Sequence, residues 1–181
     1  MGETIIEKII RHNTGKAVKP GDIVTVNVDR VMIHDIFIPF VAEKFEEMGF
    51  QKLWDSDKVV LIYDHLVPAS QQDDTRHFHV GDAFAAKYGM KNVHRSDGIC
   101  HQLMTEAGYV KPGNIVFGTD SHTTTYGCVG AFFFRHRLHR DGQHLGNRNH
   151  VDQGSGNHKG CDRRRTSGEC HVQGYHPPPD R

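Results

Sequence analysis

The amino-acid sequence predicts an α/β domain whose sheet is covered by helices on both faces. Along the first 133 residues, short apolar runs of strand character alternate with segments of helical period, and this alternation is typical of a layered α/β fold. The run at residues 59–63 is continuously apolar, as expected of a buried strand. No run reaches the roughly 18 apolar residues of a membrane span, so no membrane protein is predicted.

The first third of the chain predicts a helix, a strand region and a second helix. Thr4 and Glu7 have capping-box spacing at the start of a helix over residues 4–12. Residues 22–33 alternate in part and favour a strand or hairpin arm. A helix is expected over residues 39–48, ended by the glycine that comes next. One face of this helix is predicted to hold Phe40, Val41, Phe45 and Met48.

The alternation continues along the rest of the domain, and no internal repeat is visible. The predicted elements are a strand at 59–63, a polar loop at 70–74, a helix at 75–88, a short strand near Val93, a helix at 99–107, a strand at 114–118 and a helix at 125–133. Strands that alternate with helices in this way predict helices on both faces of one sheet.

A polar site is predicted where the strand at 114–118 ends. Gly118 and the threonine after it lead into Asp120, Ser121 and His122. These three side chains supply an acceptor, a donor and a titratable ring directly after a rigid strand, and the glycine lets the backbone approach a ligand. By itself, the segment is also compatible with a turn closed by an Asx hydrogen bond.

Two further segments place imidazoles near carboxylates or at the start of a helix. The strand at 59–63 leads directly into Asp64 and His65, and His101 comes shortly after a glycine where an apolar run begins. A carboxylate beside an imidazole raises the imidazole pKa and fixes its orientation, which suits a general acid. A lone histidine is more often structural. Three such segments, two of them at strand ends, indicate a ligand site in an α/β sheet.

These segments resemble, in the same order, motifs of the aconitase family. The resemblance is carried by DHLV at 64–67, GICHQ at 98–102, GTDSHT at 118–123 and YGCVGAF at 126–132. TIIEKII at 4–10 and PGDIV at 20–24 are most similar to the large subunits of the isopropylmalate dehydratase branch. The resemblance covers about residues 1–133, and the ordered set is far more specific than any single motif.

The resemblance implies an incomplete, three-layer α/β/α aconitase-type domain and a hydro-lyase activity on a hydroxy-dicarboxylic acid. In the most similar branch this activity isomerises 2-isopropylmalate and 3-isopropylmalate in leucine biosynthesis, with aconitase, homoaconitase and dimethylmalate dehydratase as alternatives. Carried over by position, the implied catalytic residues are Asp64, His65, His101, Asp120 and His122. The implied substrate-binding residues are His34 and Ser121.

Each implied residue has a stated role in the family. Asp64 and His65 match the pair that tunes the acid, and His101 matches the histidine beside the iron that binds the substrate hydroxyl. Asp120 and His122 match residues that hydrogen-bond iron-bound water. Ser121 matches a contact to a substrate carboxylate, and His34 falls where aconitases carry a substrate-contacting glutamine.

The family's cofactor is a [4Fe–4S] cluster, one iron of which acts as a Lewis acid on the substrate hydroxyl. The three cluster cysteines of the family are expected beyond this fragment. Neither Cys100 nor Cys128 matches them, so this chain is predicted to hold no metal ligand and to be inactive. The resemblance also implies a partner, the small subunit whose swivelling domain supplies the catalytic base. No nucleic acid and no membrane is expected as a partner.

Residues 134–181 differ in composition from the rest of the chain. From Arg135 onward the only aliphatic residues are Leu138, Leu145, Val151 and Val172, and seven of the 15 histidines lie there. Such a segment cannot bury enough apolar surface to offset the entropy of ordering it, so a disordered tail is predicted. A His-rich, metal-binding arm on a non-enzymatic domain is the alternative. The tail has no C-x-x-C or H-x-x-x-H spacing, which disfavours zinc.

A frameshift explains the tail better. When each triplet begins one nucleotide later, permissible codons for residues 135–158 can encode GIGYTGMASILGTGTMWIKVPAT, and those for 158–175 can encode IKVVIDGELPENVMSKD. Both peptides resemble the segment that comes after this region in isopropylmalate dehydratase large subunits. We therefore hypothesise a single-nucleotide insertion or deletion near codon 134. The four scattered cysteines and the absence of a signal-peptide pattern predict a reducing, cytoplasmic location.

Overall fold

Five parallel strands with helices on both faces make up most of the computed structural model, which describes residues 2–135 and 172–173. The helices are α1 (Ile5–Thr14), α2 (Ile38–Glu47), α3 (Gln72–Tyr88), α4 (Cys100–Glu106) and a 3-10 helix (Thr123–Val129). The strands are β1 (Ile23–Val24), β2 (Arg30–His34), β3 (Val59–Ile62), β4 (Asn92–His94), β5 (Ile115–Gly118), β6 (Phe132–Arg135) and β7 (Val172–Gln173). This arrangement confirms the predicted α/β/α fold.

The main sheet has the strand order β4-β3-β2-β5-β6, and every neighbouring pair is parallel. The central strand β2 pairs with β3 on one side and with β5 on the other. Because all five strands are parallel, their carboxyl ends meet at one edge of the sheet. That edge is where ligands bind in sheets of this type.

Alternate side chains of the central strands enter two separate cores. Val31, Ile33, Leu61 and Phe117 face one core, which α1, α2 and α3 cover. Met32, Val60, Ile62 and Val116 face the other, which α4 and the 3-10 helix cover. The strands are therefore apolar on both faces, which explains the uninterrupted apolar runs in the sequence.

The predicted start of α1 is confirmed in detail. The Glu7 backbone N–H donates to Thr4 Oγ1 at 3.3 Å, and the Thr4 N–H donates to Glu7 Oε2 at 2.6 Å. This reciprocal capping box satisfies two backbone donors that the first helical turn leaves unpaired. Gly15, in the left-handed region at φ 72°, ends the helix.

The strand region predicted over residues 22–33 is two separate strands. β1 pairs antiparallel with β7, whereas β2 lies at the centre of the main sheet. Between them, the Asn27 N–H donates to Asn13 Oδ1 at 2.7 Å, and the Asp29 N–H donates to the Ile115 carbonyl at 2.8 Å. These contacts hold the backbone between β1, which pairs with β7, and β2, which joins the main sheet.

The helix predicted over residues 125–133 is wrong. A 3-10 helix ends at Val129, and Gly130, in the left-handed region at φ 75°, turns the chain into β6. The aromatic run then becomes an edge strand parallel to β5, where the Phe134 ring stacks on Phe117 at a centroid distance of 5.0 Å. β6 ends at Arg135, two residues beyond the predicted domain boundary.

Helix α2 lies within one residue of the predicted range, but neither Phe40 nor Met48, both predicted on one face with Val41 and Phe45, belongs to its buried face, and Met48 comes after the last helical residue. Phe40 is 47% exposed, whereas Val41 and Phe45 are fully buried. The inward face is Ile38, Val41, Ala42 and Phe45, whose spacing of three and four residues is that of one helical stripe. Phe40 lies outside that stripe.

The predicted disordered, out-of-frame tail falls almost entirely outside the described residues. Within it, only Phe134, Arg135 and the two residues of β7 are described, and β7 pairs Val172 with Val24. Among the helices in the described ranges, none has both the length and the apolar character that crossing a bilayer requires.

Candidate active site

Three neighbouring strands bring polar side chains to the carboxyl edge of the sheet. His34 is the last residue of β2, Asp64 and His65 lie just after β3, and Asp120 lies just after β5. Helix α4 begins beside them and adds His101 from its first turn. The structure thus brings His34, Asp64, His65, His101 and Asp120 together at this edge.

Asp120 is the centre of this cluster. Its Oδ1 accepts hydrogen bonds from His101 Nε2 at 2.8 Å and from the His122 backbone N–H at 2.6 Å. Its Oδ2 faces two more imidazoles, with His65 Nε2 at 3.5 Å and His34 Nε2 at 3.8 Å. One carboxylate therefore faces rings contributed by three separate elements.

The surroundings of Asp120 stabilise its ionised form. Burial alone would raise its pKa, but the hydrogen bonds from the His122 N–H and His101, together with the facing rings of His101 and His34, lower the pKa of Asp120 to about 2. Asp120 is therefore a carboxylate at any physiological pH. It can accept hydrogen bonds and orient an imidazole, but it cannot donate a proton.

Asp64 and His65 form a close hydrogen-bonded pair beside Asp120. Asp64 Oδ1 lies 2.6 Å from His65 Nδ1, and Asp64 Oδ2 accepts the Cys100 backbone N–H at 2.6 Å. Partial burial works against a charged His65, but the hydrogen bond and the charge of Asp64, with the charges of Asp35 and Asp120, raise the pKa of His65. Because Asp64 occupies Nδ1, the Nε2–H of a protonated His65 faces the centre of the site.

Asp35 is a site residue that the sequence argument did not assign. It is fully buried, and its Oδ2 accepts the backbone N–H groups of His65 and Leu66 at 3.0 and 2.8 Å. Although burial favours the neutral acid, the His34 ring and backbone N–H groups, including that of Ile36, lower the pKa of Asp35. The signal for this residue was its place directly after a buried strand, the position that drew attention to Asp64.

His34 is buried in the centre of the cluster. Its ring stacks on that of His65 at a centroid distance of 4.2 Å and an interplanar angle of 22°. Neither ring nitrogen has a hydrogen-bond partner, although carboxylate oxygens of Asp35 and Asp120 lie at 3.7 and 3.8 Å. A buried imidazole without a partner can form a hydrogen bond with a polar group of a ligand.

Ser121 and His122 lie at the exposed rim of the site. The His122 side chain is 79% exposed, and its Nδ1 lies 3.1 Å from Ser121 Oγ. The His122 ring centroid lies 6.1 Å from that of His101, so it remains next to the cluster. These two residues are open to solvent and to a ligand that enters from outside.

The described residues do not fit a [4Fe–4S] cluster. Such a cluster is held by cysteine thiolates, generally four, and residues 2–135 contain only two cysteines, Cys100 and Cys128, both free. Burial, and then the neighbouring Asp64, raise the pKa of the Cys100 thiol, which opposes thiolate formation. Cys128 is exposed. Imidazole, carboxylate and thiol donors do gather at this edge in three groups, within 4.8 Å in each: His34–Asp35–His65, Asp64–His65–Cys100 and His101–Asp120–His122.

The sequence profile described as the aconitase family (aconitate hydratase) matches residues 7–134, which include every residue of the cluster. The chain belongs to the aconitase family. The match ends where the composition of the chain changes.

Curated relatives of this family member are named as large subunits. The chain is 39% identical over 133 residues to "3-isopropylmalate dehydratase large subunit 1" of Methanopyrus kandleri, covering 73% of this chain and 32% of the relative. It is 42% identical over 132 residues to the "3-isopropylmalate dehydratase large subunit" of Methanoregula boonei, with the same coverage. The chain therefore spans about a third of the length of the curated relatives it matches.

Proposed function

We propose that this chain is the N-terminal part of the large subunit of a hydro-lyase that isomerises 2-isopropylmalate and 3-isopropylmalate by removing and re-adding water, as in leucine biosynthesis. The observation that carries the proposal is the Asp64–His65 pair, whose imidazole has a raised pKa and faces the ionised Asp120. The family membership and the relatives' names support it.

His65 is the proposed proton donor. Loss of a hydroxyl group as water requires a proton on the leaving oxygen, and a general acid works best when its pKa lies near the working pH. The hydrogen bond that Nδ1–H donates to Asp64 favours the imidazolium form and leaves Nε2–H as the proton to be donated. Asp64 and Asp35 thus act through His65, one on its ring and the other on its backbone N–H.

The remaining residues are proposed to bind the substrate and to orient the side chains that contact it. Asp120 holds His101 at 2.8 Å, so that the free side of the His101 ring is fixed against the substrate. Ser121 and His122, at the open rim, are proposed contacts to a substrate carboxylate and to a bound water molecule. His34, with two unpartnered ring nitrogens, is a proposed substrate contact.

The full enzyme needs groups that the described residues do not supply. When bound, a [4Fe–4S] cluster provides Lewis-acid polarisation of the substrate hydroxyl. We propose that its three thiolates come from large-subunit sequence downstream of the matched segment in the relatives. We also propose a small-subunit partner that closes the site and supplies the base, and a reducing cytoplasmic location, in keeping with the free Cys100 and Cys128.

We further propose that the sequence after about residue 134 is out of frame, so that the 181-residue product is inactive. The support is the coincidence of the compositional change with the end of the family match at residue 134. Resequencing the gene decides this point. We expect the shifted frame to continue to full family length with three downstream cysteines, and noncoding sequence in that frame would refute the proposal.

A chimeric enzyme tests the proposed function directly. Residues 1–134 replace the matched segment of the Methanoregula boonei large subunit, which is co-expressed with its small subunit and assayed anaerobically for hydration of the unsaturated intermediate. We expect activity that His65→Ala lowers by about 100-fold or more, while His79→Ala, at an exposed position on α3, leaves it unchanged. A folded, cluster-containing chimera without activity would refute the proposal.

A further inference from the structure

A histidine outside the site holds both ends of helix α4. His94, the last residue of β4, lies with Nδ1 at 2.6 Å from Asp97 Oδ2 and with Nε2 at 2.8 Å from the Tyr109 hydroxyl. Asp97 lies three residues before the first residue of α4, and Tyr109 lies three residues after the last. The His94 side chain is only 19% exposed, and both ring nitrogens have partners.

Tyr109 is itself fixed to the sheet. Its carbonyl accepts a hydrogen bond from Arg30 Nε at 3.1 Å, and the Arg30 guanidinium lies 5.6 Å from its ring centroid. Its hydroxyl also lies within hydrogen-bond reach of Asn92 Oδ1, at 3.3 Å. His94 therefore ties the loop before α4 to a side chain that β2 and β4 already anchor.

Helix α4 depends on such external contacts. It has only seven residues, Ile99 provides no side-chain cap, and the preceding Gly98 has a backbone conformation at φ 139° that favours glycine. A helix this short has little stability of its own. Its placement therefore depends on the packing of its buried Cys100 and Met104 and on the contacts that hold its two ends.

The start of α4 determines the geometry of the proposed proton donor. The Cys100 N–H donates to Asp64 Oδ2 at 2.6 Å, which turns the other oxygen of this carboxylate toward His65 Nδ1. One residue later, His101 reaches Asp120. A shift at the start of α4 would therefore reach both carboxylates of the site.

We propose that His94 is a positioning residue for the Asp64–His65 pair. By holding α4 at both ends, it keeps the Cys100 N–H on Asp64 and so keeps Asp64 on His65. The meaning of this for catalysis rests on the proposed function, but the effect on the pair does not. The proposal can therefore fail or succeed independently of the activity of the chimera.

The test uses the full chain and two readouts, His65 titration by NMR and peptide-resolved alkylation of Cys100. In His94→Ala we expect the freed Asp64 carboxylate to rotate toward solvent and the pKa of His65 to fall by at least about half a pH unit, toward its ordinary value. Cys100 is fully buried, so it reacts only when the start of α4 opens. Loss of its charge-assisted hydrogen bond to Asp64 should make this opening more frequent, and we expect alkylation to be about tenfold faster or more.

Matched variants separate positioning from general destabilisation. The amide of Asn lies near the place of Nδ1, so His94→Asn keeps a donor for Asp97 and should restore most of the His65 titration, whereas His79→Ala should change neither readout. An unchanged His65 titration in His94→Ala overturns the proposal, even if Cys100 becomes reactive. If His94→Ala does not fold, Tyr109→Phe keeps the ring, removes the hydroxyl contacts to His94 and Asn92, and is judged by the same two criteria.

Discussion

The two edges of the parallel sheet differ in what their polar side chains contact. At the amino edge, side chains hydrogen-bond to backbone groups: Asp29 Oδ2 accepts the Ile115 N–H at 2.8 Å, and Arg30 donates to the carbonyls of Asp57 and Tyr109. At the carboxyl edge, side chains such as Asp35 also accept backbone N–H groups, but here carboxylates and imidazoles in addition face one another, as in the rings around Asp120. Polar residues at the first edge complete the fold, and those at the second form a site.

Buried polar atoms without a hydrogen-bond partner also distinguish the carboxyl edge from the amino edge. Of the five buried side-chain atoms without a hydrogen-bond partner in the described ranges, three are ring nitrogens of His34 and His101, and a fourth is the hydroxyl of Tyr126, whose ring centroid lies 5.9 Å from that of His101. Natural proteins leave few buried polar groups unpaired, and those that remain often have a functional reason. The carboxyl edge thus retains hydrogen-bonding capacity that the amino edge has used.

The largest expected effect concerns the [4Fe–4S] cluster, which the residues at the carboxyl edge cannot hold without further cysteines. Anaerobic reconstitution of the 181-residue chain with iron and sulfide should give no [4Fe–4S] cluster, because three thiolates are not available at the site. The frame-restored protein, treated in the same way, should bind one. Visible absorption and iron content provide the measurement. A brown, cluster-containing preparation of the unrepaired chain would show that the ligand assignment is wrong.

Replacing one aspartate at each edge with alanine should lower turnover at the carboxyl edge and folding stability at the amino edge. In the chimera, Asp120→Ala should lower turnover by about 100-fold or more, because His101 loses its orienting partner. Asp29→Ala should instead lower the free energy of unfolding by about 1–3 kcal/mol, because the Ile115 N–H loses its acceptor, with turnover nearly unchanged. Equal losses of turnover in the two folded variants would contradict the distinction between the edges.

A single methyl group should disturb the carboxyl edge through packing. A Cβ at Gly118 would overlap the buried Thr123 side chain, whose hydroxyl donates to the Asp120 carbonyl at 2.6 Å. We expect Gly118→Ala to cost about 1–3 kcal/mol in urea unfolding and to displace Asp120. Gly2→Ala, where nothing lies within 4 Å, is the control. A Gly118→Ala chain as stable as this control would refute the packing argument.

The smallest expected effect is the pH dependence of stability. Because the pKa of folded His65 is raised above its ordinary value of 6.5, folding favours the protonated ring. Its contribution is fully present below pH 6.5 and is lost as the pH rises through the folded pKa. The stability difference between wild type and His65→Gln, measured by urea unfolding, should therefore shrink from pH 6 to pH 9. A difference that grows with pH would have the wrong sign.

Features that depend on residues close together in the sequence could be predicted, whereas the pairing of residues far apart in the sequence could not. The capping box of α1 is fixed by Thr4 and Glu7, three residues apart, and was confirmed. The region at residues 22–33 was predicted as a strand or hairpin arm. Its division into two strands of different sheets depends on Asn13 and Ile115, which are distant in sequence. The aromatic run of β6 has no periodicity that distinguishes an edge strand from a buried helix.

The candidate site was predictable to the extent that its residues come directly after strands. The order of β3, β2 and β5 in the sheet, which makes Asp64, His34 and Asp120 neighbours, is not readable from the chain. Asp35 was not assigned because its task is to accept the N–H groups of His65 and Leu66, which lie 30 and 31 residues away. Such contacts emerge only when the fold is known.

Titration of His65 tests the central claim most directly, namely that the carboxyl edge holds an imidazole tuned by carboxylates for proton transfer. The measurement is histidine NMR of the full chain over pH 5 to 9, with Asp64→Asn as the comparison. We predict that His65 titrates above its ordinary value of 6.5 in the wild type and that its pKa falls in Asp64→Asn, since the leading favourable contact is lost. A His65 that titrates at or below 6.5, unchanged by Asp64→Asn, would contradict the account.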